Sequence, residues 1–131
     1  MYDNYSDEGG ALYITGTSSS TFEQGKISYN QASDGAGVAI DQGALYLTNA
    51  AVYCNTAVTD GGGIFMETSG SVTLTNVGLY KNASATGVTH AVGVYVGTST
   101  TLYMYNSVVQ EALNAYALYG AGSGTLSYNN V

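Results

Sequence analysis

Glu8, Asp34, Asp60 and His90 hold one recurring position in this chain, each directly ahead of a glycine-rich or apolar stretch that begins at Gly9, Gly35, Gly61 or Ala91. If each repeat forms one layer of a stacked sheet, these side chains lie above one another about 4.8 Å apart. Carboxylates that close raise one another's pKa, and they can bind a hard cation or act as an acid/base pair, with Asp60 and His90 as neighbours. The same residues also suit a solvated turn ahead of glycine. A polysaccharide-cleaving site would add an Arg, a Lys or a tight acidic pair on an outward strand face. The chain has no Arg, and Glu23, Asp41, Glu67 and Glu111 lie scattered along it. No Ser/His/Asp array, Cys pair, phosphate loop or calcium loop is present. The expectation is therefore a protein without enzymatic activity, with no catalytic residue, metal ligand or cofactor assigned.

Tyrosine offers a second kind of chemistry, at 13 residues. Tyr13, Phe65 and Tyr95 share one repeat position, Tyr46 and Tyr103 a second, and Tyr53 and Tyr80 a third. Aligned aromatic rings make a platform for the sugar rings of a surface glycan or for a host protein. Cross-strand Tyr and Thr pairs also stabilise an exposed sheet by themselves, at about 0.2–1 kcal/mol each.

The elements that must position these residues follow from a period of 25 to 30 residues, the mark of a solenoid. The repeats open at Gly9-Gly10-Ala11-Leu12, Gly35-Ala36-Gly37-Val38, Gly61-Gly62-Gly63-Ile64 and, less regularly, Ala91-Val92-Gly93-Val94. Alternation turns Leu12/Ile14, Val38/Ile40, Ile64/Met66 and Val94/Val96 inward, with Tyr13, Ala39, Phe65 and Tyr95 outward. A second strand column has Phe22, Leu45/Leu47, Val72/Leu74 and Leu102/Met104 inward. A short third column has Ile27, Val52, Leu79 and Val109 inward. An Asn follows three positions later at Asn30, Asn55 and Asn82, and a second series, Asn49, Asn76 and Asn106, precedes the third strand. Stacked at corners, both series are expected to form structural ladders of side-chain amides, Asn being tolerant of left-handed backbone angles. The predicted fold is an all-β, right-handed parallel β-helix, a single domain over 1–131, with about five coils and three short strands per coil.

Composition narrows the function classes. Only Lys26 and Lys81 are basic, the net charge is -7, and charged residues make up 8% of the chain. That balance excludes nucleic acid, whose phosphates need clustered Lys and Arg. No apolar run reaches the roughly 18 residues of a membrane helix, so no membrane insertion is expected. Cys54 stands alone, which rules out an intramolecular disulfide. Proline is absent, as closely stacked strands require.

The glycine-rich entries followed by an apolar-x-x-Asn motif resemble the repeats of polymorphic outer-membrane proteins and related right-handed β-helix adhesins. Where those repeats favour Phe at the first position of the Asn motif, this chain has Ile27, Val52 and Leu79, and Ala112 stands at the Asn position of the fourth coil. The resemblance implies an extracellular or cell-surface passenger and supplies no catalytic residue. The ends add an expectation: Met1-Tyr2-Asp3-Asn4 is itself an apolar-x-x-Asn motif, and the chain stops in mid-coil at Tyr128-Asn129-Asn130-Val131. Tyr128, Asn129 and Val131 joined to Met1, Tyr2 and Asn4 would complete one coil. The chain is thus either part of a longer array or a subunit that stacks head to tail into a filament. A structural, adhesive and self-associating solenoid is the expected function. A carbohydrate-binding or carbohydrate-cleaving β-helix is the alternative. An ice-binding solenoid is a lesser one, supported only by Thr73-x-Thr75.

Overall fold

The computed structural model describes residues 1–85, 91–110 and 116–127, and all regular structure among them is β. The strands stack in about four turns as four parallel sheets. The first sheet contains β1 (Leu12–Ile14), β5 (Val38–Ile40), β9 (Ile64–Met66), β13 (Ala91–Val96) and β16 (Tyr116–Gly120) in that order. Leu12, Val38, Ile64 and Val94 pair in register on successive coils, followed by Leu118. The common offset from the glycines therefore becomes a physical column.

The second sheet contains β2 (Ser19–Glu23), β6 (Ala44–Thr48), β10 (Gly70–Thr75), β14 (Thr100–Tyr105) and β17 (Ser123–Ser127). The third contains β3 (Lys26–Ser28), β7 (Ala51–Tyr53), β11 (Gly78–Tyr80) and β15 (Val108–Gln110). Apolar residues at every second position of these strands meet in one continuous core. Ile27, Ile40, Leu47, Val52, Ile64, Met66, Leu74, Leu79 and Met104 are completely buried in it. Each coil shares its core with the coil above and below, so the stack is stable where a single coil would not be.

Two features depart from the sequence reading. A fourth sheet is present, made of β4 (Gln31–Ala32), β8 (Thr56–Ala57) and β12 (Ala83–Ser84), which bury Ala32 and Ala57 in a small separate cluster. Two residues are too few for alternation to show. The turns also number about four rather than five: β1 and β2 open the stack, and ahead of them Tyr2, Tyr5 and Glu8 make only single bridges, to Ser28, Gln31 and Asp34.

Corners repeat as faithfully as strands. Gln24, Asn49, Asn76 and Asn106 form one column of left-handed residues, with φ from 48° to 55°. Asp3, Tyr29, Cys54 and Lys81 form a second, and Gly9, Gly35 and Gly61 a third. At Gly61 the need for glycine is double, since φ is +62° and an added Cβ would lie 2.5 Å from the Ile64 carbonyl oxygen. At Gly37 the backbone angle is ordinary, but a Cβ would lie 2.4 Å from the Gly63 oxygen of the next coil. The glycine-rich entries thus serve a corner and a close approach between coils.

Candidate functional site

The acidic column assembles in part. Glu8 bridges to Asp34, and the Asp34 carboxylate accepts hydrogen bonds from the Thr59 hydroxyl and from the Asp60 N–H at 3.1 Å. The Asp60 carbonyl in turn accepts from the Gly35 N–H at 3.1 Å. Asp34 therefore fastens the turn of the following coil. His90 and Glu111 lie outside the described residues, as do Ala112, Tyr128, Asn129 and Val131.

The remaining acids are less scattered than the sequence suggests. Asp41 and Glu67 follow the paired residues Ile40 and Met66, which brings them to one position on adjoining coils. The signal was present, because each lies at the same distance beyond its glycine, Gly35 or Gly61. Thr68 donates to the Asp41 carboxylate at 2.6 Å and Thr15 at 3.3 Å. Partial burial, then the charges of Glu8, Asp41 and Asp34, push the Glu67 carboxyl above its usual 4.5. Tyr13 shares this surroundings: its hydrogen bond to Glu8, some burial and the charges of Glu8, Asp41 and Glu67 raise its hydroxyl above 10. Among the described residues, no group of three His, Cys, Asp or Glu side chains is placed to hold a metal ion.

A prediction follows from the sign of the Glu67 shift. A carboxyl whose pKa rises on folding is held protonated more firmly by the folded state. Its unfavourable effect is absent below about pH 4.5 and grows as pH rises through the folded value. Glu67→Gln should therefore raise Tm at pH 7 by about 1–3 °C, the small size reflecting solvent screening at an exposed residue, and leave Tm at pH 4 unchanged. Thermal melts at the two pH values check this. A fall in Tm at pH 7 would show that the charge has a favourable partner.

The two Asn series form different ladders. In the inner one each amide group reaches toward the following coil. Asn4 Nδ2 donates to Asn30 Oδ1 at 2.8 Å, Asn30 Nδ2 to Asn55 Oδ1 at 2.9 Å, and Asn55 Nδ2 to Asn82 Oδ1 at 3.0 Å. The backbone N–H groups of Asn4, Asn30 and Asn55 donate to the same oxygens. Asn30, Asn55 and Asn82 are buried, and the left-handed residue is the one before each of them. The sequence reading gave left-handed tolerance to both series; the structure confines it to the outer one. There, exposed Asn76 donates to Asn49 at 3.0 Å and Asn106 to Asn76 at 2.5 Å, in the opposite direction along the axis.

Aromatic residues divide into stacked and separated sets. In the first sheet Phe65 and Tyr95 stack with centroids 5.0 Å apart, and Tyr119, which the sequence reading missed, continues the column at 6.1 Å from Tyr95. Tyr13 is cut off from them by Ala39, which the flanking coils bury although it faces outward. In the third sheet Tyr53 and Tyr80 stack at 4.9 Å with planes only 3° apart, and Tyr29 meets Tyr53 edge-on. The charge of Cys54 beside it, and a hydrogen bond to that residue, raise the Tyr29 hydroxyl above 10.

The second sheet is organised differently. Its central outward column alternates as Thr21, Tyr46, Thr73, Tyr103 and Thr125, so that each ring lies between threonines. Ser19, Ala44, Ser71, Thr101 and Ser123 run along one side, and Glu23, Thr48, Thr75 and Tyr105 along the other. Every side chain of this face carries a hydroxyl except Ala44 and Glu23, and Glu23 is its one charge among the described residues. Among the described residues no helix is long and apolar enough to cross a membrane. Comparison of the chain with protein-family models, with curated proteins and with solved structures finds no match.

Proposed function

We propose that this chain is a non-enzymatic, extracellular or cell-surface β-solenoid segment with a structural and adhesive role, of the kind its resemblance to outer-membrane passenger repeats suggests. The observation that carries this reading is the division of labour within each coil. The inner Asn ladder, the apolar columns and the turn-bonded Asp34 and Asp41 hold the stack together, while the outward strand positions present hydroxyls and aromatic rings with few charges. Such faces meet another surface without desolvating ions, the larger obstacle to contact.

The polarity of the inner ladder favours association of copies along the axis. On each rung from Asn30 to Asn82 the Oδ1 accepts from the coil before it, so a rung supplied by another copy would extend the ladder by the same bonds. Light scattering and electron microscopy of the purified protein test this. Elongated assemblies that grow with concentration, and tighten as salt screens the net charge of -7, are expected. A stable monomer at high concentration overturns self-association. Cleavage of a polysaccharide that disappears in Asp60→Asn overturns the non-enzymatic part.

A further inference from the structure

The second sheet differs from the others in how it uses its rings. Phe65/Tyr95 and Tyr53/Tyr80 sit on adjacent coils and cover each other's faces, the arrangement expected when aromatic residues serve the sheet itself. Tyr46 and Tyr103 are two coils apart, with Thr73 between them, and among the described residues neither meets another ring. Tyr46 is 44% exposed. The two rings are therefore spaced at roughly 9.6 Å along the axis, on a floor of hydroxyls.

We propose that this face is a binding surface for an uncharged, extended β-linked polysaccharide whose chain runs parallel to the solenoid axis, with Tyr46 and Tyr103 stacking on alternate sugar rings. The inference rests on the adhesive reading above and names its ligand. The distance between alternate rings of a flat, two-fold β-1,4 chain is close to two sheet rungs, so successive tyrosines meet equivalent sugar faces. Aromatic faces pack against the C–H face of a pyranose ring, and the serines and threonines of the flanking columns match its equatorial hydroxyls as donors and acceptors. Charge selects among polysaccharides. The net charge of -7 disfavours an acidic chain, and a face with Glu23 as its one charge among the described residues offers little to a basic one.

The test is co-sedimentation of the full chain with microcrystalline cellulose, with chitin and with insoluble β-mannan. Depletion from the supernatant by at least one of them is expected, and it should persist at about 1 M salt, where surface charge pairs are screened. Tyr46→Thr with Tyr103→Thr completes an unbroken threonine column that the sheet already tolerates at Thr21, Thr73 and Thr125, so folding is retained. That double variant should lose affinity by roughly tenfold or more. Tyr53→Thr with Tyr80→Thr, on the third sheet, should bind as the parent does. Binding that persists in the first double variant overturns the assignment of the face but leaves the adhesive reading standing. Failure to bind any of the three solids overturns the glycan assignment, and with axial assembly also absent it overturns the adhesive reading as well. Inhibition of ice recrystallisation that strengthens in the all-threonine column would reassign the face to ice, and capture of protein alone would reassign it to a protein partner.

Discussion

Ile64→Asp is expected to abolish the folded state at 25 °C. Ile64 has no exposed surface, and it lies in the middle of the first inward column with Val38 on one coil and Val94 on the next. A carboxylate there would sit in the apolar core that Ile64 shares with Met66 and Leu79. Stranding an unpaired charge in such a place costs several kcal/mol even after relaxation, on top of about 2–5 kcal/mol for the lost apolar side chain. The total rivals the 5–15 kcal/mol that typically separates a domain from its unfolded chain. Position within the stack makes the loss general, since a failed third coil parts the coils on either side from each other. Circular dichroism should show the β signal gone, whereas Ile64→Val should cost about 0.5–1.5 kcal/mol and stay folded. Retention of a cooperative melt within a few degrees of the parent by Ile64→Asp would show that the coils do not share one core.

The same column explains why so much of the fold was legible. Three glycine-rich entries set a common origin, and residues counted from it, such as Leu12, Val38 and Ile64, had to fall in register if the period was structural. Alternation then assigned the faces of the longer strands, because inward residues are apolar at every second position. The signal failed where an element was too short to alternate, as at Gln31–Ala32, or where the same residue type does two jobs. Asn30 and Asn49 look alike in the sequence, yet one is buried with its left-handed angle displaced to Tyr29, and the other takes the left-handed angle itself. Their places in the coil separate them: Asn30 stands between the left-handed Tyr29 and β4, whereas Asn49 directly follows β6 as the corner itself.

The candidate surface was legible in its residues but not in its arrangement. In the sequence Tyr46 and Tyr103 hold a repeat position of their own, yet they read as the same kind of outward platform as Tyr13, Tyr53, Tyr80 and Tyr95. What distinguishes them is the partner on the adjoining coil, a threonine for Tyr46 and Tyr103, an aromatic ring for Tyr53, Tyr80 and Tyr95, and Ala39 for Tyr13. The acids show the converse. The column of Glu8, Asp34, Asp60 and His90 reads both as a cation or acid/base site and as turns ahead of glycine, and the Asp34 carboxylate caps the Asp60 corner, while Asp41 and Glu67, scattered in the sequence, share a position.

Asn55 should prove the most sensitive polar residue of the chain. Its Oδ1 accepts both the backbone N–H of Asn30 at 3.0 Å and the Asn30 side-chain amide at 2.9 Å, and its Nδ2 donates to Asn82 Oδ1 at 3.0 Å and to the Ile27 carbonyl at 3.1 Å. Asn55→Leu preserves the volume and removes all four bonds in a place with no exposure to water. Two stranded donors on Asn30 alone cost about 2–6 kcal/mol, so Tm should fall by more than about 10 °C. Asn55→Asp separates the acceptor role from the donor role. The acid keeps an oxygen for Asn30, but when ionised its second oxygen faces the Ile27 carbonyl and the Asn82 oxygen. Burial and these repulsive contacts raise its folded pKa above the unfolded value of about 3.9. Its protonated form can donate where the amide did, so the stability of Asn55→Asp is greatest below about pH 4 and declines as pH rises through the folded value. Melts at pH 4 and pH 7 should therefore show a larger gap for Asn55→Asp than the small one that the parent and Asn55→Leu share through Glu67. The outer ladder supplies the contrast, because Asn76→Gly leaves a solvated corner with its left-handed angle satisfied and should cost no more than about 1 kcal/mol. Equal losses for Asn55→Leu and Asn76→Gly would mean that burial of the inner ladder does not set the cost.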